Sequence, residues 1–308
     1  MKENNVSIAR SAVYLKFAVG LAILVLTVAF AAAMLDLQST VMALWQLPTH
    51  TLTVVFLLGA ASWLLRGLRT WVLFEQLPLT DALGMSFVHN TANNLAPMRL
   101  GELALPLLAR WLGRIEFSVG LTSLIWIRIL DFISLIGLAA SILLLPKFGV
   151  IMIGVVAILV FLTPLIIRGV LPKTQHWPLP QFLAKARAQL VFEASQPARL
   201  HRLWRLTILA WLCKLIGMAV LLAALSGISV TEVMATILGA ELSSILPIHG
   251  LAGAGSYQAG GILGATFGGQ SAMTGLTLAI QLHVYVLSLT AVFGILGALL
   301  LTKRTFNG

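Results

Sequence analysis

The side chains able to do chemistry are few and stand at defined places. In 308 residues there are 10 Asp and Glu, 20 Lys and Arg, 6 His and one cysteine, Cys213. Four groups interrupt otherwise apolar stretches. Asn93, Asn94, Arg99 and Glu102 surround Pro97 and Gly101, with His89 and Asn90 just before them. Arg128 and Asp131 lie three residues apart, hence on one face of a helix. Lys214 stands by itself, and Glu241, His249 and His283 flank Gly253, Gly255 and Ser256. A charge at the centre of a membrane-inserted helix costs about 2.5–3.5 kcal/mol, so such groups mark ion pairs or a polar path. Read as a path, the candidates for binding a polar, anionic group are Asn93, Asn94, Arg99, Gly101, Glu102, Arg128, Lys214, His249, Gly253, Gly255, Ser256 and His283. The cations would attract it and the glycine-flanked amides would donate to it. Glu102, Asp131, Glu241 and His249 would pair with the cations or couple a proton. Read as structure, Arg128–Asp131 is a pair that holds helices together, a claim of equal weight.

No catalytic set is expected. Ser256 and His283 are the faintest match to a nucleophile and its base, and the flanking Gly-Ser-Tyr-Gln speaks against it. No His, Cys or carboxylate spacing suits a metal. No phosphate-binding loop of an ATPase is present, and no cofactor is implied.

The elements that must position these residues follow from composition. Hydrophobic residues make up 59% and charged residues 10%, against about 25% charged in soluble domains. This excludes a soluble enzyme, a disordered chain and a disulfide scaffold, and indicates an all-α polytopic membrane protein. Six stretches have the roughly 20 apolar residues that a span needs: Val13–Leu35, Leu52–Phe74, Leu121–Leu145, Val150–Ile167, Leu206–Leu225 and Leu276–Leu301. The first follows Lys2, Arg10 and Lys16 as a signal peptide would, but its length predicts a retained helix. Two more stretches, Ala82–Trp111 and Glu232–Phe267, are broken at Pro97–Gly101 and Pro247–Gly255. Each is too interrupted for one span and too apolar for a loop, which predicts a re-entrant helical hairpin.

The net charge of +10 serves as a topology marker, and gives no argument for a nucleic-acid partner. With the N-terminus cytoplasmic, Lys147 falls outside, and Arg99, Arg128 and Lys214 fall within apolar segments. The other Lys and Arg, Arg66 and Arg69 among them, fall at cytoplasmic ends. Counting either hairpin as a full span destroys that bias. The charges thus favour six transmembrane helices plus two re-entrant hairpins, with both termini cytoplasmic. The cytoplasmic loop 169–202 is expected to hold an interfacial helix over Gln181–Ala194 or a basic linker.

The chain also resembles itself at a spacing of about 150 residues. Trp63-Leu64-Leu65-Arg66 recurs as Trp211-Leu212-Cys213-Lys214, and Thr80-Asp81 as Thr231-Glu232. Asn93 to Arg99 recurs as Ser243 to His249. Gly120-Leu121-Thr122, with Arg128 following, recurs as Gly275-Leu276-Thr277 with His283. One transmembrane domain over 1–308 is therefore expected, with 1–147 and 148–308 as repeats. Three spans per repeat is an odd number, so the copies would have inverted topology, as in secondary transporters. Gly260, Gly261, Gly264, Gly268 and Gly269 are read as close-packing positions.

Three motifs carry a resemblance: Asn94-Leu95-Ala96-Pro97-Met98-Arg99-Leu100-Gly101-Glu102, then Ile127-Arg128-Ile129-Leu130-Asp131, then Leu246-Pro247 with Gly253-Ala254-Gly255. From about Leu52 to Leu301 the chain resembles the lysylphosphatidylglycerol synthase transmembrane family. These flippase-like integral membrane proteins include the membrane half of the multiple peptide resistance factor. The resemblance implies functional roles for Arg99, Glu102, Arg128 and Asp131. It also implies lipid substrates such as aminoacylated phosphatidylglycerol, glycolipids or polyprenyl-linked sugars. This chain has Ala104 and Leu105 where the family often has a basic residue, and Gln258 where it often has an acidic one.

The expectation is a lipid flippase or transporter of the cytoplasmic (inner) membrane, moving a polar, anionic lipid of phospholipid, glycolipid or polyprenyl-phosphate type. Its partners would be that lipid and the bilayer. Two other readings stand beside it: a non-catalytic membrane partner of a glycolipid-modifying enzyme, and a membrane-embedded transferase or hydrolase.

Overall fold

The structure is a computed structural model that describes residues 42–178, 181–245 and 251–307. The described residues form helices and no strand. In chain order they are α1 (Thr49–Leu73), α2 (Leu79–Leu95), α3 (Ala104–Gly113), α4 (Phe117–Phe148) and α5 (Val150–Val170), followed by α6 (Gln181–Ser195), α7 (Pro197–Ser226), α8 (Val230–Ser243), α9 (Ser256–Phe267) and α10 (Ala272–Asn307). Within the described residues Thr49–Leu73, Phe117–Ser141, Pro197–Ser226 and Ala272–Thr302 are long and apolar enough to cross a membrane. They coincide with four of the expected spans. The stretch Val150–Ile167 is also helical, as α5, while Val13–Leu35 lies outside the described residues.

The order of a long helix, two short ones and another long one occurs twice, as α1–α4 and as α7–α10. Between them the segment 169–202 is largely helical: α5 ends in a 3-10 turn at Leu171–His176, and α6 fills the place of the expected interfacial helix. Leu190 of α6 packs against the core, Glu193 is buried, and Arg199 of α7 pairs with it at 3.3 Å. The C-terminal half of α6 thus rests on protein.

Both broken stretches are broken in the structure. Between α2 and α3, Pro97–Leu103 forms a 3-10 stretch in which Met98 and Arg99 adopt left-handed backbone, φ 52° and 55°. Such a conformation costs a residue with a side chain about 1–2 kcal/mol. Pro97 thus opens a 3-10 turn, and the α-helix resumes at Ala104, so Arg99 sits on a corner and not in a first helical turn. Gly101 permits the return: a Cβ there would collide with the Ala92 carbonyl and the Asn93 amide. Between α8 and α9 the described part of the break has left-handed Ala252 (φ 54°), Gly253 (φ 76°) and Gly255 (φ 87°). Pro247 and Gly250 lie outside the described residues.

The α8–α9 pair is closed by small residues. In lipid, burying one more leucine gains little, so helices associate through close backbone approach. A Cβ on Gly264 would collide with the Ala235 carbonyl, and one on Gly260 with that of Gly239. Gly261 fits against Ala279, and Gly268 meets Ala235. Gly269 departs from the packing expectation, because it is a left-handed turn residue (φ 82°) with open space around it. Ser229 and Glu232 form a capping box that starts α8, and Gln270 donates to the same Glu232 at 3.2 Å.

The chain divides into two compact units, each drawn from both halves of the sequence. The first holds residues 90–102, 215–292 and the stretch up to Leu57. The second holds 58–89, 103–214 and the stretch from Phe293. The core of the second is built by Met85, Leu105, Leu130, Leu200 and Leu203. Trp63, Phe87 and Phe293 form an aromatic trio, with Trp63 stacked on Phe293 at 5.0 Å.

Candidate functional site

The first unit contains both breaks. From its left-handed corner Arg99 reaches two partners. Its Nε pairs with Glu102 Oε1 at 2.7 Å, and its Nη1 donates to the carbonyl of Ile245, at the end of α8 where the second break begins. A guanidinium has five N–H donors in a fixed fork, which suits one group bound to two partners at once. Asn94 Nδ2 donates to Thr290 Oγ1 of α10 at 2.8 Å. The Oδ1 of Asn93 is buried and accepts no hydrogen bond among the described residues.

At the second break the sequence-derived candidates are tied to one another and to Tyr257 and Gln258. His283 on α10 contacts the Ala252 carbonyl through Nε2 at 2.6 Å and the Gln258 amide nitrogen through Nδ1 at 2.7 Å. Gln258 Oε1 accepts from the Gly255 amide at 2.9 Å. That amide is therefore engaged internally and does not face an anion as expected. Tyr257 donates to Glu241 Oε1 at 3.0 Å, both groups buried, and its ring lies 5.1 Å from His283. Ser256 Oγ donates to the Gly253 carbonyl at 3.4 Å. With both ring nitrogens of His283 committed elsewhere, no Ser256–His283 nucleophile–base pair forms. His249 lies outside the described residues.

The second unit contains a different cluster. Asp131, 3% exposed, pairs with Arg128 of its own helix at 3.7 Å, as its spacing predicts. Its main partner is Arg69 of α1, whose Nη1 reaches Oδ1 at 2.6 Å and whose Nη2 reaches Oδ2 at 3.3 Å. Trp211 Nε1 donates to Oδ1 at 3.0 Å, and Thr207 Oγ1 accepts from Arg69 at 3.1 Å. The face of the Trp211 indole carries two cations, Arg66 at 4.9 Å and Lys214 at 5.3 Å from its centre. Three guanidiniums thus bear on one carboxylate.

Arg66 and Arg69, which the sequence offers as markers of orientation near a helix end, also take part in this cluster. Arg69 is 3% exposed and is a member of the cluster. The signal was present: Arg66 belongs to the repeated Trp-x-x-basic motif, and Arg69 follows it by three residues on the same face. Trp211 opens the second copy of that motif, whereas Thr207 and Tyr257 had no comparable signal, because in an apolar helix their partners are set by which helix lies opposite. Among the described residues no group of three or more His, Cys, Asp or Glu gathers as metal ligands would.

Long apolar helices, two of them followed by broken helix pairs, with buried charges on spanning segments, define an integral membrane protein. The chain belongs to the lysylphosphatidylglycerol synthase TM region family, whose model matches residues 17–294. That membership ties it to membrane-lipid handling. No curated protein and no solved structure matches it.

Proposed function

We propose that the protein is a flippase or transporter that carries a polar, anionic lipid across the cytoplasmic membrane, without covalent chemistry. The observation that carries this reading is Arg99, a cation held on a left-handed corner and joining one helix break to the start of the other. Irregular backbone at membrane depth is tolerated where it is buried in protein or lines a polar cavity. In this reading α2–α3 and α8–α9 are re-entrant hairpins, the chain has six spans, and 1–147 and 148–308 are inverted repeats. The twofold occurrence of the long, short, short, long order supports the repeat, and the basic-residue bias supports cytoplasmic termini. The tails of the lipid stay in the bilayer. Its phosphate or other anionic group meets Arg99, and Asn93 Oδ1 accepts from a head-group hydroxyl or ammonium. Arg66, Arg69, Arg128 and Lys214 provide a second cationic point on the spanning helices. The engagement of Ser256 and His283 with other groups favours transport over hydrolysis.

The test is head-group translocation in proteoliposomes. Loss of a hydrogen bond to a charged group costs about 1.5–3 kcal/mol, so Arg99→Ala is expected to slow translocation by at least about tenfold. Glu102→Gln and Arg128→Ala are expected to lie between that and wild type. Wild-type rates in all three variants would remove the site assignment. Absence of translocation of anionic phospholipid, glycolipid and polyprenyl phosphate alike would remove the function.

A further inference from the structure

We infer that His283 is a proton-binding site, and that proton uptake on its Nδ1 releases the break between α8 and α9. The inference goes beyond the transport proposal and does not depend on it. It rests on the direction of three consecutive hydrogen bonds, whose polarity is fixed at both ends by the backbone. The Ala252 carbonyl can only accept, so His283 Nε2 carries a hydrogen and donates to it at 2.6 Å. The Gly255 N–H can only donate, so it is Gln258 Oε1 that receives it at 2.9 Å. The Gln258 amide therefore turns its NH2 to His283 and donates to Nδ1 at 2.7 Å. All three bonds are satisfied by one state, the neutral imidazole with its hydrogen on Nε2.

A second proton has no place in this chain of bonds. On Nδ1 it would face the Gln258 NH2, donor against donor. Turning the amide over would offer Oε1 to the imidazolium, but would set NH2 against the Gly255 N–H. Either way one bond is lost, together with an N–H that must find another partner in a buried setting, where Gln258 and His283 are 7% and 8% exposed. The bond that fails is Gln258 to His283 or Gly255 to Gln258, and losing either opens the chain of bonds that links left-handed Ala252 to Gly255. Ala252, with a side chain at φ 54°, persists in that conformation because its surroundings impose it. Protonation of one imidazole thus removes a restraint from the irregular backbone over residues 252–255.

Among the described residues the groups around His283 are few. From α9, the Tyr257 ring lies 5.1 Å away with its hydroxyl on Glu241 of α8, and from the break Gly253 approaches Nε2. On its own helix Tyr285 donates to the Val55 carbonyl at 3.0 Å. Glu241 is the one carboxylate linked to the ring among these contacts, through Tyr257. It supplies negative charge beside the imidazolium once the bond to Gln258 is lost.

Hydrogen exchange of the peptide spanning 251–258, in the full chain in lipid nanodiscs between pH 5 and 8 and corrected for intrinsic exchange chemistry, tests this without reference to transport. In the wild type, protection of the Gly255 amide is expected to fall by about tenfold or more on acidification through the histidine range. A glutamine at 283 can donate to Ala252 and accept from Gln258 at any pH, so His283→Gln is expected to hold protection constant. Gln258→Leu is expected to be unprotected throughout. His283→Asn serves if His283→Gln does not fold. A flat wild-type profile would overturn the inference, as would a wild-type profile retained when His283 is replaced. A 15N imidazole spectrum in which the resonance lost on replacing His283 belongs to the Nδ1–H tautomer at pH 8 would overturn it as well.

Discussion

Arg128 and His283 occupy matching sequence positions in the two halves of the chain, following Gly120 and Gly275, and the surroundings they meet are opposite in kind. Arg128 pairs with Asp131, a carboxylate that Arg69 and Trp211 also bind. Around His283 the partners are a carbonyl, an amide side chain and an aromatic ring. A guanidinium stays charged at any physiological pH and so suits a permanent electrostatic joint. An imidazole between neutral, directional partners suits a joint whose bonds depend on one proton. The Arg128 cluster secures straight helices, whereas the His283 chain secures bent backbone. Matching sequence positions thus meet a charged cluster in one half of the sequence and a chain of neutral, directional hydrogen bonds in the other.

The contrast can be broken most severely at Asp131. Removing one partner from a buried ion pair leaves the other charge uncompensated, at a cost of about 3–5 kcal/mol. Asp131→Asn is therefore expected to produce the largest loss of thermal stability in detergent, because Arg69 loses its counter-charge and one of the two oxygens it binds becomes an NH2 donor. Stability within about 1 kcal/mol of wild type would mean that the cluster is not a brace. A finer probe compares two tryptophans that the sequence repeat equates. Trp211→Phe removes the donor to Asp131 and is expected to cost about 1–2 kcal/mol. Trp63→Phe keeps a ring in an aromatic trio and is expected to cost less. Equal losses in unfolding midpoint would show that indole size, and not the hydrogen bond, is what matters at position 211.

The smallest effect is expected at Glu193, which lies off the spanning helices. Burial raises its carboxyl above the ordinary carboxylate range, opposed by Arg199 and by the hydrogen bond from Gln189. With the folded-state value raised, the folded chain holds a proton that the unfolded chain has released. This contribution to stability is complete below the unfolded value and is lost as pH rises through the folded one. Glu193→Gln should flatten that slope. A pH–stability profile unchanged by the substitution would refute the assignment.

Membrane character, the positions of α1, α4, α5, α7 and α10, the two broken stretches and the packing role of Gly260, Gly261 and Gly264 were legible in the residues. So was the Arg128–Asp131 pair. All depend on local quantities: apolar length, the presence of proline and glycine, and a spacing of three along a helix. The partners of Asp131 were not legible. Arg69 reads as one more basic residue near a helix end, and its role follows from α1 and α4 lying side by side. Nor could the sequence show that Gly255 is satisfied by Gln258, or that His283 closes the chain of bonds to Ala252. Hydropathy fixes which segments enter the membrane because transfer from water dominates their energy. Which polar groups meet inside is decided by tertiary packing, since within the apolar layer each unpaired polar group costs more than the helix rearrangement needed to pair it.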